Sequence, residues 1–132
     1  MDAQTRLDPC EVIERFPGQL QSDARALYRL LRSVTGHEAV MWGPSVIGFG
    51  EKVPVCVDDS SPDGFEIGFS RRDTKLVLVL RRYSEYYAPI LDRLGSVPFG
   101  RNAIVLPAFD DLDESVLREL IETAWEDRTR AD

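Results

Sequence analysis

The stretch QSDARALYRLLRSVT, residues 21–35, places Ala24, Leu27, Leu30, Leu31 and Val34 at helical spacing, and Gly36 follows as the left-handed residue that ends a helix. From residue 46 the period falls to two. Ile47 and Phe49 flank Gly48, and Ile67 and Phe69 flank Gly68, so the tripeptide Ile-Gly-Phe occurs twice, each time with one oily side and one bare side. This change of period constrains the fold most: an amphipathic helix followed by strands with one apolar face each must pack as helix on sheet.

Other segments fill in the order. Asp8 before Pro9 caps a short opening helix, PCEVIERF, which Pro17-Gly18 ends. Val53, Val55 and Val57 alternate as a strand, with Pro54 suited to an edge, and KLVLVLRR reads as a strand covered on both faces. YSEYYAPILDRLG is a helix that Pro89 makes start late or bend, and NAIVLP is a last strand. Asp113 caps a closing helix, with Leu112 and Leu117 as a hydrophobic staple and Leu117, Leu120, Ile121, Ala124 and Trp125 as its buried stripe. The expected fold is a single α+β domain over residues 1–132, an antiparallel or mixed sheet of about five strands backed by three or four helices.

Charge narrows the function. At net −7 the chain is a poor sequence-independent binder of nucleic acid, and no apolar run reaches the length of a membrane span. The opening MDAQTRLDPCEVIERF carries acids and no apolar core of a signal peptide, which points to a cytoplasmic protein. Cys10 and Cys56 lack metal or redox spacing and read as unpaired, buried thiols. Residues 71–82 nonetheless sum to +4 and residues 107–132 to −6, a field that steers a small anion toward the middle of the chain.

VTGHEAVMWGPSVIGFG, GFSRRDTKLVLVL, LDRLG and GRNAIVLPAFDDLDESVLRELI, in this order across residues 20–122, resemble the YdhG-like family of small bacterial domains of unknown function. The resemblance implies a compact α+β domain and supplies no catalytic residues. A more distant relative in the wider family is associated with frataxin-like iron delivery, so the resemblance also implies metal carriage as an alternative.

Four readings of function follow from the residues. In the first, a non-enzymatic module binds a small anionic or polar ligand on the bare side of Gly48, Gly68 and Ser70, with Arg71, Arg72 and Arg101 as charge partners and Trp42 as a flat wall. GPSVIGFG meets no phosphate-loop pattern, and no cofactor is implied. In the second, carboxylates of Asp58, Asp59 and Asp63, or of Asp110, Asp111, Asp113 and Glu114, carry iron or another divalent metal. In the third, the sole histidine, His37, acts as a base beside Glu38, although no GxSxG nucleophile elbow is present. In the fourth, an edge strand such as VPVCV serves as an interaction surface.

Overall fold

The computed structural model describes residues 8–42, 46–51, 65–80, 84–95 and 97–126. Helix α1 (Pro9–Glu14) opens as expected: the Asp8 side chain accepts from the Cys10 amide at 2.9 Å, and Pro9 occupies the first turn. Helix α2 (Gly18–Thr35) starts three residues before the expected Gln21, because Pro17, already extended, serves as its N-cap, and Gly36 at φ 69° ends it.

Five strands follow, β1 (Ala39–Trp42), β2 (Val46–Glu51), β3 (Phe65–Arg72), β4 (Lys75–Leu80) and β5 (Ala103–Leu106), with helix α3 (Ala88–Leu94) before β5 and helix α4 (Glu114–Glu126) after it. They form one sheet in the order β1-β2-β3-β4-β5, each pair antiparallel. With four helices among the described residues, the fold is α+β as the pattern predicts. Strand β1 was not expected, since four residues give no readable alternation. The expected strand Val53–Val57 lies outside the described residues.

Pro89 starts α3 late rather than bending it: a 3-10 turn, Ser84–Tyr87, precedes the helix, and the proline sits in its first turn. In α4 the Asp113 carboxylate accepts from the amides of Ser115 and Val116 at 3.0 and 3.4 Å, the N-cap read from the sequence.

The oily side of the sheet carries Met41, Ile47, Phe49, Ile67, Phe69, Leu78 and Ile104, all at most 1% exposed. Ala24, Leu27 and Leu31 of α2 and Leu117, Leu120 and Ile121 of α4 join them in one core. Full burial of each large side chain contributes roughly 1.5–3 kcal/mol, so this layer carries most of the stability.

A buried carboxylate ties α2 to the segment between β5 and α4. Asp23, 6% exposed, accepts from the Gln19 side chain at 2.7 Å and from the Phe109 backbone amide at 3.1 Å. Both its oxygens are thereby satisfied.

Candidate functional site

Strand parity places the glycines as expected. Gly48 pairs with Gly68, and Val46 with Ser70, so all four share the side of the sheet opposite the core helices. Their row and the next continue through Val40, Val79 and Ala103 and through Val77 and Val105. The glycines do not floor an open groove, because both are buried and the side chains flanking them in the row are valines. Val77 is itself only 2% exposed and stands outside the helix-side core. A valine-lined surface offers an anion little to bind.

Of the expected charge partners, Arg72 shares this side of the sheet by parity with Gly68 and Ser70, at the end of β3, and Arg71 does not. Arg71 pairs with Leu76, whose side chain lies on the core side, and its guanidinium sits 5.6 Å from the centre of the Phe16 ring while Nε donates to the Asp73 carbonyl at 2.8 Å. Arg72 pairs with Lys75 at the β3–β4 turn, where Asp73 takes the left-handed conformation, φ 55°. Arg101 belongs to the opposite end of the sheet, where the Ser84 amide donates to its carbonyl at 2.7 Å. With Ala103 level with Val79 and Arg71 level with Leu76, about 17 Å of strand separates Arg101 from Arg71. Trp42, the last residue of β1, is in register with Val46, the first of β2, in the row that continues to Ser70. Gly48, Gly68 and Ser70 are therefore brought together, and the arginines are split between two ends.

Arg101 does line a cavity of about 350 Å³, shared with Glu85, Phe99 and Gly100. The other two site readings meet prior engagements. His37 stacks edge-on to the Trp125 ring at 5.3 Å, and Glu38, its supposed partner, accepts from Arg32 at 2.7 Å. Asp113 serves as a helix cap, and among the described residues no group of three or more His, Cys, Asp or Glu is placed to hold a metal ion. Asp58, Asp59 and Asp63 lie outside the described residues.

A second cavity, about 340 Å³, opens between α1 and α2. Cys10, Ile13 and Glu14 form one wall, and Arg25, Tyr28, Arg29 and Arg32 the other. Positions 25, 28, 29 and 32 fall on a single helical stripe, so α2 presents three guanidiniums on one face, with its apolar stripe turned to the core. Ile13 is buried and Tyr28 half-buried, its ring meeting Phe49 edge-on at 5.7 Å, which gives the cleft an apolar floor. Burial raises the Tyr28 pKa, helped by Cys10 and opposed by Arg32, so the phenol stays neutral, a donor, at physiological pH. Cys10 is exposed at the rim, contrary to the expectation of a buried thiol; Cys56 lies outside the described residues.

Of the three arginines, Arg32 is taken by Glu38. Arg25 and Arg29 have no hydrogen-bond or ion-pair partner among the described residues. The sequence signal for this site is the set of arginines at i, i+4 and i+7 on the polar side of α2, a weaker pattern than the denser run of cations at residues 71–82. No helix among the described residues is long and apolar enough to cross a membrane. Comparison of the chain with protein-family models, with curated proteins and with solved structures gave no match, so the family resemblance rests on the sequence motifs alone.

Proposed function

We propose that the protein is a small-ligand-binding module that holds a polar, anionic molecule in the cleft between α1 and α2. The observation that carries this reading is the pair Arg25 and Arg29, one helical turn apart, lining a cavity of about 340 Å³ and engaged in no ion pair among the described residues. Two adjacent planar guanidiniums suit a carboxylate or phosphate, each gripping it at two points. Tyr28 adds a neutral donor, and the Ile13 floor excludes water from beneath the bound group. The cavity volume lies within the range common for small-molecule sites.

Calorimetry with inorganic phosphate, pyrophosphate and 3-phenylpropanoate tests the reading. Loss of charge-assisted hydrogen bonds predicts at least about tenfold weaker binding in Arg25→Ala/Arg29→Ala than in the native chain. Absence of binding by these anions and by L-phenylalanine alike, or equal binding of a probe by the double variant and the native chain, overturns it.

A further inference from the structure

Glu14 stands on the α1 wall of the same cleft, opposite Arg25 and Arg29 on the α2 wall. Glu14, like the two arginines, has no ion-pair partner among the described residues, although Arg32, farther along the stripe, closes on Glu38 at 2.7 Å. Opposite charges thus line one cavity without meeting across it. The cavity they line, about 340 Å³ over the apolar floor of Ile13, leaves both signs of charge available to a bound molecule.

We infer that the ligand carries both signs of charge: an amino-acid-class zwitterion, its carboxylate on Arg25 and Arg29, its ammonium on Glu14 and an apolar side chain over Ile13 and Tyr28. This rests on the anion-binding reading of the cleft and makes it specific. A simple anion satisfies the arginines but gains nothing from Glu14 and is repelled by it, whereas a zwitterion satisfies both walls. The same wall favours the zwitterion over a carboxylic acid that lacks the amino group, because only the ammonium gains a charge-assisted contact with Glu14.

L-phenylalanine and 3-phenylpropanoate differ only in the amino group and form a matched pair of probes. The native chain is expected to bind phenylalanine at least about fivefold more tightly than 3-phenylpropanoate. Glu14→Gln should abolish that preference while binding phosphate as well as, or better than, the native chain. Glu14 is exposed, so the variant is expected to fold, and its melting curve checks this directly. Equal binding of the two probes by the native chain, or a preference that survives in Glu14→Gln, overturns the zwitterion while leaving anion binding intact. If neither phosphate nor 3-phenylpropanoate nor phenylalanine binds, the anion-binding reading fails and the zwitterion falls with it.

Discussion

Gly50 sits in β2 at φ 75°, and a β-carbon built on it would come within 2.8 Å of the Trp125 ring. Two independent costs meet at that atom: the left-handed backbone that L side chains resist, and a collision with an indole held by α4. Gly36, also left-handed at φ 69°, has nothing within 4 Å of the same position. Gly50→Ala is therefore expected to cost about 1–2 kcal/mol more than Gly36→Ala in urea unfolding, and shrinking the ring in Trp125→Leu should recover part of the difference. Equal costs would mean that the ring moves aside freely. The facing of Gly48 and Gly68 was legible in the sequence because parity is local. Their burial was not, since it depends on what the whole face contacts.

At the scale of elements, the start of α4 concentrates the acid sensitivity of the fold. The Ser115 hydroxyl, and then the Ser115 and Val116 amides, hydrogen-bond the Asp113 carboxylate and hold its pKa below the usual carboxylate value. Arg93 of α3 does the same for Glu119 through a hydrogen-bonded ion pair. A depressed folded-state pKa means that the stabilisation is complete above the unfolded value, about 4, and is lost as pH falls through the folded value beneath it. Melting midpoints should hold steady from about pH 7 to 5 and drop below about pH 4. Asp113→Asn, which keeps a capping oxygen without a charge, should soften that drop; an unchanged pH profile would remove Asp113 from the account. Both exposed groups contribute modestly near neutrality, so the variant should melt only slightly below the native chain at pH 7. The cap was legible in the sequence because Asp113 precedes its own helix. The partner of Arg93 was not, being brought to it by the packing of α3 on α4.

For the molecule as a whole, the Asp23–Phe109 hydrogen bond joins residues 86 positions apart. Asp23→Ala strands the Phe109 amide in a buried position and removes a charge-assisted bond, a loss of roughly 2–4 kcal/mol read from the urea midpoint. A loss under 1 kcal/mol would show that water or a neighbouring group replaces the carboxylate. No property of residues near Asp23 announces this role, for a polar residue on an otherwise apolar helical stripe gives no hint of a partner so distant in the chain. Fold class was legible because period and order are carried by short segments. The α1–α2 cleft was not, because it exists only once two helices are docked.

The order of strands in the sheet is also their order in the chain. As the chain is synthesised, each new strand finds its partner already made, so the sheet can grow by successive pairings of strands adjacent in sequence, with α3 carried in the β4–β5 connection. Helix α2 has no such fortune. It emerges before any strand, and Leu27 and Leu31, fully covered in the finished protein, face the core it shares with α4, the last described element to appear. Its oily stripe therefore stays incompletely covered until α4 docks on it, late in translation.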